Sequence, residues 1–430
     1  MNRRLTVLAL ALAALGALLC RPAGAAGLSP ALRRQVFDLV WRRVYERHYD
    51  PSFNGVDWKA VRAKYAPKAA AAKGDTAFYG VLQAMLGELK QSHFAIIPPS
   101  VYLAEDDARG RRMDGDVGLV VQLVGGQCVV TRVEPGSSGE QAGVRPGVVV
   151  THVDGKPLAP LVERVRKRKL RPAMERLQVM MAVRARLMGP SGSKVALRCL
   201  EDGASARTVT LTRAFEQGER FQFGELPPLR LDMETRRLDG NIGYVRFNLF
   251  LMPLMDRIRQ AIREMSDTRG FIIDLRGNGG GMGAMAWGVA TPFFDQRASL
   301  GTMRLRSGNM NFAVFPQGEP FRGPLAILID EASLSTSEVL AGGLQELGRA
   351  RIVGRATGGM VLPSSVERLP GGARLQYAVA DFRTPKGVLL EGRGVLPDIP
   401  VDVKREELLA GRDPILEAAV RAIAGETSAQ

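Results

Sequence analysis

The sequence predicts an α/β protein with a helical N-terminal segment and a small α+β module inserted before the main core. Two observations carry this prediction. Strand-like and helix-like stretches alternate after about residue 240, and a group of short β-type stretches with basic helical sequence precedes them. Alternation of strands and helices is typical of helices packed on a sheet. The chain of 430 residues is long enough for two or three domains.

The chain begins with the pattern of an export signal. Basic residues at Arg3 and Arg4 precede an apolar run from Leu5 to Leu19, and the small residues Ala23-Gly24-Ala25 follow. This order predicts a signal peptide over residues 1–25, cleaved near Ala25. We therefore expect an exported protein, periplasmic or secreted.

Residues 26–110 form the predicted helical region. Apolar residues recur at helical spacing in three stretches, and a short strand-like stretch of residues 94–97 follows Ser92 and His93. This region places a histidine at the junction between a helix and a strand.

Residues 112–214 form the predicted inserted module. Short β-type runs with glycine and proline turns surround a single basic helix from Leu158 to Leu187. Its arginines and lysines form a solvated helical face or a patch for a membrane surface or a partner, and both interpretations remain open. Cys128 and Cys199 lie in strand-like runs and form either a disulfide or two buried free thiols.

Composition excludes several classes of function. The net charge is +15, but no zinc-finger or RNA-binding signature accompanies the basic residues, so nucleic acid is not an expected partner. Two cysteines outside the signal and three widely spaced histidines offer no metal-ligand spacing, so we expect no metal and no cofactor. The oligomeric state is not predicted.

Residues 215–430 form the predicted α/β core, in which two buried strands end in turns suited to chemistry. Residues 270–275 lead into a glycine-rich turn around Gly280, and residues 325–329 lead into a serine-rich turn that contains Ser335 before a helix. A serine at a helix N-terminus lies beside amides that stabilise an oxyanion. A plain N-cap, with Glu338 in the first turn, is the competing interpretation.

Two further residues complete a candidate set. His93 is of the type that most often serves as a general base near neutral pH. Glu391 follows a strand-like stretch, where a carboxylate can orient an imidazole. Each residue has a structural alternative when it is considered alone.

Together and in this order, these motifs resemble the C-terminal processing (tail-specific) serine peptidases. The resemblance rests on Ser333–Glu338, on Asp274-Leu275-Arg276 with its glycines, on Gly118–Val121, and on Glu391–Val395. It implies a crotonase/ClpP-like core of βαβ units and an inserted PDZ domain. It also implies a nucleophile at Ser335, oxyanion amides at Gly280 and Thr336, and a loop that binds peptide C-termini at Gly118, Leu119, Val120 and Val121.

The chain departs from many family members at one position. Met360 stands where they carry a catalytic lysine, and a thioether cannot accept a proton. The tricorn-like branch of the family is similar in using a serine, a histidine, a helper serine and a glutamate. Ser335, His93, Ser92 and Glu391 match these residues. The resemblance thus implies an exported serine endopeptidase, with His93 titrating near 6.5. A catalytically inactive adaptor that recruits partners through its PDZ domain is the alternative.

Overall fold

The computed structural model describes residues 27–99, 114–201, 206–214, 218–226 and 228–428. The predicted signal peptide lies outside these residues, as do residues 100–113 at the end of the predicted helical region and in the link to the module. Within the described ranges, no helix combines the length and apolar character needed to cross a membrane.

The described residues of the N-terminal region include three packed α-helices and a short strand. The Ser29 side chain accepts the Leu32 N–H and so starts the first helix. The elements are α1 (Pro30–Arg47), α2 (Trp58–Ala70), α3 (Asp75–Gly87) and β1 (Ala95–Ile97). Residues 88–94 join α3 to β1, so Ser92 and His93 lie in this connection, as the sequence predicts.

The inserted module is a six-stranded sheet with three helices. The strands are β2 (Leu119–Val124), β3 (Gln127–Val133), β4 (Val149–Val153), β5 (Lys156–Pro157), β6 (Lys194–Leu200) and β7 (Ala206–Thr212). They lie in the order β2-β3-β4-β6-β7, with β5 on β4, and every pair is antiparallel. The helices are α4 (Ser138–Gln141), α5 (Ala159–Arg166) and α6 (Pro172–Leu187). In this order β2 is an edge strand.

Two features of the module bear on the sequence predictions. One corrects the prediction of a single basic helix, and the other decides the state of the two cysteines. The basic segment is not one helix, because the chain breaks between α5 and α6, where Lys169 has a φ of 50° and Pro172 starts the second helix. Cys128 and Cys199 are buried free thiols and form no disulfide.

The core contains a mostly parallel sheet with apolar clusters on both faces. The strands run in the order β10-β11-β12-β15-β16-β20, parallel from β11 to β20 and with β10 antiparallel at one edge. Because β12 and β15 are neighbouring parallel strands, the turns after them lie at the same edge of the sheet. The strands of this sheet are β10 (Met233–Leu238), β11 (Ile242–Phe247), β12 (Gly270–Asp274), β15 (Leu325–Ile329), β16 (Arg351–Gly354) and β20 (Ile399–Pro400).

Three smaller sheets and five helices complete the described core. One of these sheets pairs β1 with β18 in antiparallel register, from Ala95 opposite Gln376 to Ile97 opposite Arg374, and so ties the His93 connection to the core. The strands are β8 (Glu219–Phe221), β9 (Leu229–Leu231), β13 (Ala298–Leu305), β14 (Gly308–Val314), β17 (Ser364–Arg368), β18 (Arg374–Ala378) and β19 (Ala380–Arg383). The helices are α7 (Met252–Glu264), α8 (Ala284–Ala290), α9 (Thr336–Glu346), α10 (Arg405–Leu409) and α11 (Pro414–Ser428).

Candidate active site

Ser335 lies at the start of α9, after the buried strand β15. Its backbone has a φ of 56° and a ψ of −112°, a conformation that a residue with a side chain rarely adopts. Only 5 % of its surface is exposed. Strained backbone of this kind clusters at functional sites. The geometry therefore distinguishes Ser335 from an ordinary N-cap serine, which has extended backbone with negative φ.

The serine-rich turn and the glycine-rich turn are bonded to each other. The Leu334 N–H donates to the Asn278 carbonyl at 2.9 Å, and Ser333 Oγ donates to the Leu275 carbonyl at 2.7 Å. Thr336 Oγ1 donates to the Gly281 carbonyl at 3.0 Å. The structure thus brings together the two turns that the sequence singles out, at the shared edge of β12 and β15.

Gly280 lies against Ser335, but its amide is not available for an oxyanion. A Cβ atom at Gly280 would lie 2.7 Å from Ser335 Cβ and 3.0 Å from the Thr336 nitrogen. Its N–H, however, donates to Asn278 Oδ1 at 2.9 Å. The Asn278 side chain thus closes the turn on itself in this conformation, and the oxyanion role of the Gly280 amide stays a prediction.

The Thr336 amide is the better-placed donor. Thr336 is the first residue of α9, where a helix leaves its N–H groups without intrahelical partners. Among the hydrogen bonds of the described residues, none is donated by this amide. The partial positive charge of the helix N-terminus favours a negative oxygen at the same place.

His93, Ser92 and Glu391 form one hydrogen-bonded chain. Ser92 Oγ lies 2.6 Å from His93 Nδ1 and 2.9 Å from Glu391 Oε2. The Ser92 N–H also donates to Glu391 Oε1 at 2.7 Å. Residues separated by almost 300 positions in the sequence thus meet in the order that the resemblance implies.

This arrangement determines the tautomer of the His93 imidazole. Glu391 accepts the N–H groups of Ser92 and Val361, so it binds as a carboxylate. The Ser92 hydroxyl has a single proton and donates it to Glu391 Oε2. The Ser92 oxygen then accepts from His93 Nδ1–H. The proton on Nδ1 leaves Nε2 with a free lone pair, which is the form that a general base needs.

His93 is enclosed in this conformation. It is 3 % exposed, and burial lowers the pKa of its imidazole from 6.5 to about 3. The expected pKa of His93 near 6.5 is therefore wrong while the site is buried, because desolvation disfavours the charged imidazolium. No hydrogen bond joins Ser335 to His93 among the residues that the structure describes.

Glu338 is a site residue whose role the sequence did not reveal. It is fully buried, and its carboxylate accepts the N–H groups of Ser335 at 2.9 Å, Gly359 at 2.8 Å and Met360 at 3.0 Å. It also accepts from Thr357 Oγ1. Burial raises the pKa of the Glu338 carboxyl to about 7 despite these donors. Its place in the first turn of a helix suggested only an ordinary capping role.

Met360 contributes its backbone to the site. Its side chain joins an apolar cluster with Leu334 and with Leu177 of α6. Its amide binds Glu338, and the next amide, of Val361, binds Glu391 at 3.0 Å. The turn that carries a lysine in many family members therefore serves here as a bridge between the two carboxylates.

The predicted peptide-binding residues lie at the start of the module. Gly118 precedes the edge strand β2, whereas Leu119, Val120 and Val121 lie within it and pair with β3. The Gly118 amide donates to Asp116 Oδ1 at 3.0 Å. A neighbouring carboxylate thus already accepts this amide, and the peptide-binding role of Gly118 stays a prediction.

The other two histidines make contacts outside this chain of residues. His48 is buried and bonds Gln91 at 2.9 Å, which holds the connection that carries Ser92 and His93. His152 contacts Thr151 Oγ1 at 3.0 Å in β4. Across the described ranges, no group of three or more histidine, cysteine, aspartate or glutamate side chains could hold a metal ion.

Comparison with known proteins identifies the kind of enzyme. Residues 241–401 match the model of peptidase family S41, and residues 29–87 match the tricorn protease C1 domain. The carboxyl-terminal-processing protease of Synechocystis sp. is 26% identical over 393 residues, which cover 90% of this chain and 85% of that protein. The putative tricorn protease homolog 2 of Streptomyces coelicolor is also 26% identical, over 90% of this chain and 32% of that protein.

A solved structure shows the same relationship. The photosystem II D1 C-terminal processing protease is 27% identical and superposes with a TM-score of 0.58, over 91% of this chain and 97% of that one. The mixed α/β fold described above is thus shared with a C-terminal processing protease. The chain is therefore a serine-type peptidase, whose residues 241–401 match peptidase family S41 and which resembles the carboxyl-terminal-processing and tricorn proteases.

Proposed function

We propose that this chain is an endopeptidase in which Ser335 is the nucleophile and His93 is the general base. The observation that carries the proposal is the hydrogen-bonded chain from Glu391 through Ser92 to His93 Nδ1, at 2.9 and 2.6 Å. It fixes the imidazole as the Nδ1–H tautomer and leaves Nε2 as a base. Met360 offers no alternative base.

The proposed mechanism uses only residues of this chain. His93 Nε2 takes the proton from Ser335 Oγ as the oxygen attacks the carbonyl carbon of a peptide bond. The Thr336 N–H binds the resulting oxyanion, and Gly280 can join it when its amide leaves Asn278. The imidazolium then protonates the leaving amine, which frees the new N-terminus. Water, deprotonated by His93, hydrolyses the acyl-enzyme and restores Ser335.

Substrate entry requires a conformational change. Ser335 and His93 are almost completely buried, and Leu177 of α6 packs against Leu334 beside the nucleophile. Arg171 of the module donates to the Gly358 and Arg393 carbonyls at 2.8 and 2.7 Å. We infer that displacement of α6 opens the site to an extended peptide.

We further propose that the module is a PDZ domain and that the core is a crotonase-like spiral of βαβ units. Support comes from the antiparallel sheet with an edge strand, β2, beside α6, and from the parallel strands β11, β12, β15 and β16 joined through helices. A substrate segment adds to β2 as a further strand. The partners are then protein or peptide substrates, presented near their C-termini.

The basic residues at the end of α5 and in the connection to α6 are proposed as a surface for anionic membranes. Arg166 and Arg168 contact acidic or amide side chains, and Arg171 contacts the core. Arg164, Lys167 and Lys169 are exposed. The N-terminal sequence pattern supports action outside the cytoplasm, in the periplasm or after secretion.

Reaction with a peptidyl phosphonate tests the catalytic assignment. We expect one phosphonate per chain on Ser335, found by mass spectrometry, and labelling at least tenfold slower in His93→Ala. Ser307→Ala, at an exposed serine in the turn between β13 and β14, is the matched control and should label like the wild type. Peptide binding without any labelling would instead support the inactive adaptor.

A further inference from the structure

The turn before β2 is occupied by a carboxylate of the chain itself. Asp116 Oδ1 accepts the N–H groups of Val117 at 2.6 Å and Gly118 at 3.0 Å. The Asp116 side chain is 26% exposed, and its Oδ2 lies 3.8 Å from the guanidinium of Arg184 on α6. Two amides and a guanidinium thus surround one carboxylate at the head of the edge strand.

The turn is fixed in this conformation. Gly118 has a φ of 71°, and a Cβ atom at this position would lie 2.2 Å from Ser137 Cβ. The Val117 carbonyl, which shares a peptide unit with the Gly118 N–H, also accepts the Gly139 N–H at 3.0 Å. The Gly118 amide is therefore held in place and does not depend on Asp116 for its direction.

Consecutive amides before an edge strand are what a domain of this kind needs to bind the carboxylate of a peptide C-terminus. A peptide that adds to β2 would bring its terminal carboxylate to the amides that Asp116 already holds. The two negative charges would compete for the same donors, and each disfavours the other at such short distance.

We propose that Asp116 is a specificity-determining residue, which fills the carboxylate position of the module and makes it recognise extended segments without a requirement for a free C-terminal carboxylate. This proposal rests on the proposed function of the module as a substrate-binding domain. The substrate class that follows is an unfolded protein segment recognised through its backbone and its side chains.

A pair of peptides tests the proposal. Both have the same unstructured sequence with three apolar residues at the end and a fluorescein label, and one ends in a free carboxylate and the other in an amide. Binding to the Ser335→Ala chain is measured by fluorescence anisotropy. We expect the two dissociation constants to agree within about twofold, and the Asp116→Ala chain to favour the free acid by about tenfold.

Asp116→Asn is the second variant, because its Oδ1 still accepts both amides while the charge is removed. We expect it to fold like the parent and to favour the free acid by about threefold. A tenfold preference for the free acid in the presence of Asp116 would overturn the proposal. So would an equal affinity for both peptides in each of the two Asp116 variants.

Hydrolysis of an unfolded protein separates this proposal from the proposed function. Hydrolysis that depends on Ser335, without peptide binding by any variant, would support the proposed peptidase function and overturn the role of Asp116. A gain of free-acid preference in Asp116→Ala supports the role of Asp116, whether or not the chain with Ser335 intact cleaves the unfolded protein.

Discussion

Glu338 and Glu391 accept the amides of two consecutive residues, those of Met360 and Val361, each at 3.0 Å. Glu338 also holds the Ser335 amide, and Glu391 holds Ser92 beside His93. The predicted nucleophile and the predicted base are thus connected through one turn and two buried carboxylates. What this turn contributes to the site is its backbone, so the loss of a lysine side chain leaves the framework intact.

Substitution of Glu338 should disrupt the position of Ser335. Glu338→Ala leaves buried N–H groups without acceptors, each at a cost of about 1–3 kcal/mol in unfolding free energy. We expect kcat/KM to fall by about a hundredfold, because small displacements of the nucleophile cost that much. Steady-state hydrolysis and thermal unfolding measure both effects. Glu346→Gln, a half-exposed acid on the same helix, is the control and should change neither quantity.

Ser92→Ala should lower kcat more than it raises KM. The substitution removes the oxygen that accepts from His93 Nδ1–H. The imidazole proton is then no longer held on Nδ1 and can lie on Nε2 instead. We expect kcat to fall by about ten- to a thousandfold. An unchanged kcat would show that Ser92 does not orient the base.

Gly280→Ala should abolish activity with little loss of secondary structure. Its Cβ would overlap Ser335 Cβ, and the residue has a φ of 91°. Gly277→Ala is the matched control, because Gly277 has a φ of 75° but nothing lies within 4 Å of the added atom. The close contacts of the added atom with Ser335, Leu334 and Thr336 distinguish the two variants, so equal kinetic losses would contradict this explanation.

Met360→Lys should not improve hydrolysis. The Met360 side chain packs with Leu177 and Leu334, so an ammonium group there loses apolar contacts. We expect activity at or below the wild type and a decrease of about 1 kcal/mol in unfolding free energy. Met360→Leu, which preserves the contacts, should behave like the wild type. Increased activity with lysine would show that the site still uses a lysine base.

Burial of His93 should make the fold sensitive to acid. The unfolded chain binds a proton at this imidazole below 6.5, whereas the folded chain does so only below about 3. The stability provided by the neutral imidazole is therefore lost as the pH falls from 6.5 toward 3, by at most about 1.4 kcal/mol per pH unit. Denaturant unfolding should show a steeper decrease for the wild type than for His93→Gln. Parallel curves would mean that His93 is accessible to solvent.

The sequence predicts Ser335, His93, Ser92 and Glu391 because their motifs, taken together and in order, resemble a known peptidase family. It does not identify the role of Glu338, because four donors from two turns converge on it only after folding.

Asp116 and Gly280 show the same limit. The Gly118 N–H donates to Asp116 and the Gly280 N–H donates to Asn278, although spacing alone does not show that either amide is occupied. The α/β alternation and the inserted module follow from periodicity, but the break at Lys169 depends on a left-handed backbone conformation that periodicity does not report.

The most direct test of the catalytic assignment is hydrolysis of an unfolded protein by the wild-type chain beside Ser335→Ala and His93→Ala. We expect cleavage by the wild type, and a loss of at least a thousandfold in kcat for both variants while circular dichroism is unchanged. Cleavage that persists in His93→Ala but not in Ser335→Ala would contradict the assignment of His93 as the base. Absence of cleavage by the wild type would contradict the peptidase mechanism itself.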